Sequence, residues 1–344
     1  MSKATWIKSL AVLLGATTAA TSASSADLTV GAFGGLWEKS LRTCVIEPFE
    51  KETGKTVEVV LGAPIQWLNQ IAANPSKPPL DIIFPPTEQA YEMIDKGLAD
   101  AFTKDKVSVL PDLNPDLVAF GEGYGVVFDY GAMGVIYNSK TVKTPINTWE
   151  DFLKGAENGD FTASIPSISY PSALSSSLWN IAKTSGGDEK NAQPGLDRVK
   201  SMMKGGDLEF WSDPNQVLNA LASGEIDSAM YWDGRSWAFI VEGNHPDFKY
   251  VTPKPGGPAA LTWIQKVKNS SVLGWKFVDI ALGAEGQGCF ASKTRYGIAN
   301  LKAKFDPAVA PMITKYADLS IPPYREINKV RDSLVEAWNK QIGR

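Results

Sequence analysis

Short apolar segments alternate with helical segments along most of this chain, and that alternation constrains the fold more than any other feature. Residues 28–32 have the pattern of a strand, residues 36–53 have the period of an amphipathic helix that ends at Gly54, and residues 57–61 again have the pattern of a strand. A helix between two strands, repeated along a chain, is typical of α/β proteins with open sheets. We therefore predict the α/β class.

The same order of elements continues through the rest of the chain. The further predicted strands are 80–84, 125–137, 208–211 and 226–232, and the further predicted helices are 88–96, 171–183 and one that Asp213-Pro214 opens and Gly224 closes. The run at 125–137 is long enough to carry the chain from one lobe to another. No internal repeat and no low-complexity linker is evident.

The first 26 residues have the composition of a cleavable secretory signal peptide. Lys3 and Lys8 precede an apolar or small run at 10–23, and Ser24-Ser25-Ala26 places small residues at the cleavage position. A membrane anchor is the alternative, but threonines and a serine dilute the run, which falls short of the roughly 20 apolar residues of a span. We expect export, a mature chain that begins near Asp27, and no stable membrane insertion after cleavage.

Length and net charge limit the number of lobes and the classes of partner that we expect. A chain of 344 residues exceeds the roughly 250 to 300 residues at which a single core stops growing, so two lobes are expected. The formal net charge is −4, so no basic field attracts nucleic acid or an anionic membrane. Small molecules and proteins are the expected partners, with no nucleic acid.

Two cysteines and one histidine limit the metal and redox chemistry. Cys44 and Cys289 would meet an oxidising compartment after export, which favours a disulfide over two buried free thiols. His245 is the only histidine and falls in a polar turn, where we expect a solvated side chain. A chain with one histidine lacks the ligands of most zinc sites, so we predict no metal and no cofactor.

Five motifs, in order over nearly the whole chain, resemble the spermidine/putrescine-binding class of periplasmic solute-binding proteins of ABC importers. They are GAFGGLW (31–37), PFEKETGKTV (48–57), GVIYNSK (134–140), NTWEDF (147–152) and PKPGG (253–257). The resemblance implies a two-lobe type II periplasmic-binding-protein fold, with open sheets flanked by helices and a ligand cleft between the lobes. It also implies a monomer in the periplasm that delivers a small-molecule ligand to an inner-membrane permease.

The resemblance further implies how the chain divides into lobes. The first lobe would comprise residues 27–128 plus 252–297, and the second lobe residues 129–251 plus 298–344. Crossing strands would lie near 125–137 and 250–255. Cys44 and Cys289 would then both belong to the first lobe, where a bridge would not block closure of the cleft.

Ligands of open α/β sheets bind where strands end and helices begin, and five segments fit that description. These segments are 33–37, 84–88, 167–172, 211–213 and 232–237. The predicted ligand-binding residues within them are Gly34, Gly35, Trp37, Pro85, Thr87, Ser169, Tyr170, Ser172, Trp211, Trp232, Asp233 and Arg235. No catalytic residue is predicted.

For each predicted ligand-binding group there is a chemical reason to expect ligand contact and a structural role that would also explain the residue. Gly34 and Gly35 let backbone N–H groups approach an anion at a helix start, although a tight turn alone explains them equally well. The serines beside Tyr170 offer hydroxyl donors or ordinary caps. Tryptophans, Trp237 included, offer indole faces to apolar stems and cationic nitrogen, or belong to the core. Asp233 and Arg235 would meet an ammonium and a carboxylate, or else form a salt bridge.

The chain departs from the polyamine binders where their cleft carries acidic residues. Residues 259–262 are Ala-Ala-Leu-Thr, serines surround Tyr170, and Arg235 would repel a polycation. We therefore expect a small polar solute with an anionic group and one amine, such as an ω-amino acid, an opine-like compound or an aminophosphonate. Alternatives are a true polyamine or thiamine and, from a different class, a secreted adhesin or structural module.

Enzyme motifs are weak. The segment 234–238, Gly-Arg-Ser-Trp-Ala, ends in alanine where the nucleophile elbow of hydrolases has glycine. His245 would have to be the base, but it follows Ser236 by only nine residues, with Glu242 as the one acid between them. No Walker A loop or dinucleotide-binding glycine motif occurs. We therefore predict a protein that binds its solute and is not an enzyme.

Overall fold

The computed structural model of the protein describes residues 26–343. Its strands are β1 (Leu28–Ala32), β2 (Val57–Leu61), β3 (Ile82–Ile83), β4 (Val126–Asn138), β5 (Ala163–Pro166), β6 (Leu208–Trp211), β7 (Ser228–Trp232), β8 (Phe248–Val251), β9 (Gly257–Lys266), β10 (Gly297–Ile298) and β11 (Leu319–Ser320). The predicted signal peptide lies outside the described residues except for Ala26. No helix within 26–343 combines the length and the apolar composition needed to cross a membrane.

Helices cover both faces of the strands. They are α1 (Leu36–Leu41), α2 (Glu47–Thr53), α3 (Pro64–Ala73), α4 (Thr87–Asp95), α5 (Pro115–Ala119), α6 (Trp149–Asn158), α7 (Trp179–Thr184), α8 (Gln193–Gly205), α9 (Pro214–Ser223), α10 (Asp233–Val241), α11 (Gly274–Leu282), α12 (Ala284–Thr294), α13 (Tyr324–Lys329) and α14 (Arg331–Gln341). Two π-helical turns, Arg42–Ile46 and Leu174–Leu178, join α1 to α2 and lead into α7.

Local sequence signals account for the elements that were predicted well. The strands at 28–32, 57–61 and 208–211 match, because each is a short apolar run between turn or cap residues. Asp213 caps α9 by accepting a hydrogen bond from the backbone N–H of Asn215, and Gly224 ends that helix in the left-handed conformation. β4 begins and ends one residue later than predicted.

Other predicted elements are shorter or less regular than the pattern indicated. The strand expected at 80–84 is only Ile82–Ile83. The helix expected at 36–53 contains the first π-helical turn, and the one expected at 171–183 becomes helical at Leu174. The strand expected at 226–232 begins at Ser228. Periodicity marks an element but does not register a π turn or a frayed end.

Two long strands connect the two halves of the sheet. The strand order is β2-β1-β3-β9-β4-β7-β5-β6, with β1, β2 and β3 parallel on one side and β5, β6 and β7 parallel on the other. The first half of β4, Val126 to Ala132, pairs with β9, and its second half, from Met133, pairs with β7 and β8. β4 therefore carries the chain between the two sides.

Buried side chains form a separate core on each side of this crossing. The first-lobe core includes Leu28, Phe49, Phe128 and Phe290. The second-lobe core includes Phe152, Ile165, Tyr231 and Trp338. The fold is the predicted two-lobe α/β architecture, while the residue boundaries of the lobes stay a prediction.

A disulfide joins Cys44 and Cys289, as predicted, with their Cα atoms 5.5 Å apart. Cys44 belongs to the first-lobe core, and Cys289 on α12 packs against it. The bridge therefore braces one lobe. His245 is not the solvated side chain that the sequence predicted: it is half-buried, and its ring stacks on Phe239 with centroids 4.0 Å apart, because the turn folds back onto α10.

Candidate functional site

A cavity of about 370 Å³ lies between the two cores, where strands end and helices begin. This volume is near the lower end of the roughly 300–1,000 Å³ that small-molecule sites occupy. The first lobe contributes the starts of α1, α3 and α4, and the second lobe contributes the starts of α9 and α10 and the loop before α7. Both lobes therefore present loops and helix starts to one enclosed space.

Most of the predicted ligand residues line this cavity, but four of them do not. Those at the cavity are Gly34, Gly35, Trp37, Thr87, Tyr170, Ser172, Trp232 and Arg235. Those that do not line it are Pro85, Ser169, Trp211 and Asp233, and Trp237 is also absent from its lining.

The structure gives each of these residues another role. Pro86 lines the cavity in place of Pro85, whose carbonyl accepts the backbone N–H of Trp263. Ser169 is exposed, and its hydroxyl pairs with that of Ser167 at 3.1 Å. Trp237 packs edge-on against Tyr250.

Aromatic rings form the second-lobe surface of the cavity. Tyr170 and Trp232 face it, with ring centroids 5.2 Å apart. Trp211 packs behind both rings, at 5.0 Å from Tyr170 and 5.2 Å from Trp232. It therefore supports the aromatic surface without lining the cavity.

Asp233 has a structural position rather than the exposed one that an ammonium ligand would need. It is fully buried, and its carboxylate accepts hydrogen bonds from the backbone N–H groups of Ala132 and Gly234 and from the hydroxyl of Thr314. Burial raises the pKa of Asp233 to about 7. The side chain ties α10 to the crossing strand β4, so the geometry does not support ligand contact by Asp233.

Arg235 is the only cationic residue that lines the cavity within residues 26–343. Its guanidinium donates a hydrogen bond to the side-chain oxygen of Asn215 at 3.3 Å, and no described carboxylate pairs with it. A methyl group built at Gly35, across the cavity, would lie 3.9 Å from the Arg235 Nη2 atom. This cation therefore reaches from the second lobe to the start of α1 in the first.

Two buried carboxyl groups also line the cavity, and the sequence analysis assigned no role to either. Asp129, on β4, accepts the indole N–H of Trp37 at 3.0 Å, and burial raises its pKa to about 8. Glu88, on α4, is 3% exposed and accepts the hydroxyl of Ser175. Burial raises the pKa of Glu88 as well. Asp129 lay in a predicted strand that was read only as a connection between lobes.

Other parts of the lining also carried no recognised signal. They are Gly62, Ala63 and Pro64 at the start of α3, Asn215 on α9, and the rings of Tyr296 and Tyr324. Residues Ala259, Ala260, Leu261 and Thr262, singled out as a departure from the polyamine pattern, do line the cavity on β9. These four residues supply no carboxylate of their own, although Asp129 of β4 lies opposite Thr262.

Comparisons with known proteins agree with this architecture. The profile described as bacterial extracellular solute-binding protein matches residues 45–319. A search of curated protein sequences finds no match.

Solved structures share the whole fold. A putative extracellular solute-binding protein from Bordetella parapertussis is 24% identical, with a TM-score of 0.76 over 92% of this chain and 98% of that one. The Atu4243–GABA receptor is 19% identical, with a TM-score of 0.74 over 91% and 96%. AgtB from A. tumefaciens R10, solved in complex with agropinic acid, is 20% identical, with a TM-score of 0.73 over 93% and 99%. The chain belongs to the bacterial extracellular solute-binding protein family.

Proposed function

We propose that this protein is the periplasmic capture component of an ABC importer, and that it binds a small amino-acid-like solute with one anionic and one cationic group. The observation that carries the proposal is Arg235, a cation with no carboxylate partner among residues 26–343, in a cavity that both lobes line. An arginine guanidinium in such a cavity matches a carboxylate, phosphonate or similar anion.

Helix starts around the cavity favour the same kind of group. The first residues of α3, α4, α9 and α10 lie at or next to its lining, so the positive ends of these helix dipoles favour negative charge there. The Gly35 position lets the chain approach the Arg235 guanidinium closely. The anionic group of the solute would therefore sit between the starts of α1 and α10.

The rest of the cavity supports an apolar stem and an amine. Trp37, Tyr170 and Trp232 provide aromatic surface for the stem. Asp129 provides a carboxyl group that an ammonium could ionise by pairing with it. Proteins of the same fold include a GABA receptor and a protein bound to agropinic acid, which indicates the compounds to test first.

A polyamine is the second candidate, and the two carboxyl groups favour it. Against it, Arg235 places a positive charge in the same cavity, and the β9 face from Ala259 to Thr262 offers no carboxylate. Two like charges in an enclosed site repel more strongly than in water. A zwitterionic solute can place its anionic group at Arg235 and its cationic group at a carboxyl group of the same cavity.

Capture would follow from closure of the cleft. Contacts from both lobes to one solute stabilise the closed form over the open one, and a permease then recognises the closed shape. Catalysis has no support in the geometry, since the Ser236 hydroxyl is buried and donates to the carbonyl of Trp232, and His245 is stacked on Phe239.

The test is a thermal-shift screen of the chain from Asp27 against ω-amino acids, opines, aminophosphonates, polyamines and thiamine. A solute that binds only the folded state at 100 times its Kd stabilises it by about 2.7 kcal/mol, which raises Tm measurably. We expect a selective rise with a compound that carries both charges. A rise with polyamines alone would establish the second candidate. If no compound acts, and mass spectrometry of the denatured protein finds no bound solute, the capture role is wrong.

A further inference from the structure

Glu88 and Ser175 form a hydrogen bond that joins the two lobes inside the cavity. Glu88 is on α4, which places Tyr91 in the first-lobe core. Ser175 is in the second π-helical turn, beside Leu174 of the second-lobe core, and its hydroxyl donates to Glu88 Oε1. Both side chains are almost fully buried, at 3% and 1% exposed. Separating the lobes would break this bond and expose both groups to water.

Helix α13 also contacts Glu88. The side-chain amide of Asn328 donates to the backbone carbonyl of Glu88 at 3.0 Å, and the hydroxyl of Tyr324 donates to the carbonyl of Ala259 at 2.7 Å. Three segments therefore converge on Glu88, which closes one end of the cavity. The Trp37–Asp129 bond, by contrast, lies at the start of the crossing strand β4, where the two sides are already continuous.

We propose that Glu88 is a positioning residue for solute capture, and that closure of the lobes is coupled to uptake of a proton by its side chain. The proposal rests on the capture function, because it assumes that the cleft opens and closes. A buried carboxylate with few hydrogen-bond donors and almost no water around it is costly, whereas a protonated carboxyl group satisfies the same geometry at lower cost.

The groups that face Glu88 do not supply enough positive charge to favour its ionised form. Burial raises the pKa of Glu88 and outweighs the bonds from Ser175 and from its own backbone and the charge of Arg331, all of which lower the pKa. The charge of Glu88 also acts on the hydroxyl groups of Tyr170 and Tyr324. Burial raises the pKa of both tyrosines, so neither carries charge near neutral pH.

The direction of the coupling follows from the two states of the cleft. In an open cleft, Glu88 would have the pKa of an exposed glutamic acid, about 4.3. In the closed cleft its pKa is higher, so closing takes up a proton. Protonation of Glu88 favours the closed form fully below about pH 4, and this contribution is lost as pH rises through the raised pKa of Glu88. A one-proton coupling changes the closed-to-open ratio by at most about tenfold per pH unit.

Pulsed electron–electron double resonance, which measures the distance between two spin labels, tests the proposal across the cleft without any solute. Spin labels on Glu58→Cys in β2 and Asn219→Cys in α9 report on the two lobes, and neither residue lines the cavity. In the otherwise unchanged chain, the short distance should dominate at low pH and the long distance should grow as pH rises. Glu88→Gln keeps an acceptor without charge, so the short distance should persist throughout.

Ser175→Ala should lengthen the distance even at low pH, because the Glu88 carboxyl group then loses its hydrogen bond from the second lobe. Matched controls are Glu92→Gln, one turn along α4, and Ser177→Ala, a buried serine of the same π-helical turn whose hydroxyl contacts Met230 instead. Both should keep the parent pH profile.

A pH-independent distance in the parent chain, or the same profile in Glu88→Gln, overturns the proposal, whatever the solute screen shows. Burial also raises the pKa of Asp129 and of Asp233, and both remain in the Glu88→Gln chain, so a profile that persists there belongs to them. A failed screen together with a pH-dependent distance that Glu88→Gln abolishes would leave the coupling standing and reject the capture role.

Discussion

The indole N–H of Trp37 donates to a carboxyl oxygen of Asp129 at 3.0 Å, and this bond fixes the start of α1 to the crossing strand β4. The Trp37 ring also packs edge-on against Phe84, Phe128 and Phe290 at 5.0 to 6.0 Å between centroids. Trp37 is therefore held from several sides before any solute arrives. A preformed surface reduces the ordering cost of binding.

Replacing Asp129 with Asn should stabilise the protein increasingly as pH rises. The folded-state pKa of about 8 exceeds the roughly 3.9 of an unfolded aspartate, so ionisation of Asp129 opposes folding between these values. Asp129→Asn removes that cost and keeps an acceptor for Trp37. The difference in unfolding free energy between variant and parent should widen from pH 5 to pH 8, by up to a few kcal/mol, and the difference in Tm should widen with it. The exposed Asp116→Asn serves as control, and a constant difference for Asp129→Asn would contradict the prediction.

Alanine should destabilise the protein at both Gly35 and Gly54 but should weaken binding at only one of them. Gly54 has φ +68° and ψ 15°, in the left-handed region, so alanine should cost about 1 kcal/mol of unfolding free energy there. Gly35 has φ +74° and ψ −139°, a conformation that other residues rarely adopt, so alanine should cost about 1–3 kcal/mol. Only at Gly35 does the added carbon enter the cavity near Arg235. Denaturant unfolding and calorimetry should show that Gly35→Ala also weakens solute binding. Equal affinities in the two variants would remove Gly35 from the site.

Loss of the Cys44–Cys289 bridge should lower stability and leave solute affinity unchanged. The bridged cysteines are 245 residues apart, and the chain-entropy model gives up to about 5 kcal/mol for a loop of that length. Both belong to the surroundings of the first-lobe core, away from the cavity lining. The measurement is the Tm and the Kd of the double Cys→Ser variant. A large loss of affinity in folded protein would show that the bridge also shapes the site.

Trp232 and Asp233 are neighbours in sequence, yet only the replacement of Trp232 should weaken binding directly. Trp232→Ala removes an aromatic surface from the cavity and should weaken binding at least tenfold. Because Trp232 also belongs to the buried second-lobe core, the same change should cost about 3–5 kcal/mol of stability. Asp233→Ala leaves the buried N–H of Ala132 without its carboxylate and should cost about 1–3 kcal/mol of stability. Unfolding curves and titrations of both variants decide this. A stable Asp233→Ala protein that no longer binds would restore Asp233 to the ligand set.

Local signals in the sequence predicted the fold better than the site. Cap and turn residues such as Asp213 and Gly224 act within a few positions, so they mark element ends directly. The general rule that ligands lie at the ends of strands placed Gly35, Tyr170 and Arg235 at one cavity. These inferences needed no knowledge of which residues meet across the chain.

The remaining site residues depend on contacts between distant segments. Asp129 lies inside a strand, and only its pairing with Trp37, 92 positions away, brings it to the cavity. Asp233 follows a strand as a ligand residue would, but its hydrogen bonds to Ala132 and Thr314 turn it inward. A sequence pattern indicates which end of an element a side chain occupies, not which neighbours it meets.

Calorimetric titration can test whether Arg235 binds the anionic group of the solute. The strongest compound from the solute screen is compared with its amide analogue, in which the anionic group is neutral. The charged compound should bind the parent protein at least tenfold more tightly than the amide, because a charge-assisted hydrogen bond to Arg235 is worth about 1.5–3 kcal/mol. Arg235→Gln should abolish that preference, whereas Arg42→Gln, on an exposed ion pair, should keep it. If Arg235→Gln still prefers the charged compound to the same extent, the anionic group binds elsewhere and the account of the site is wrong.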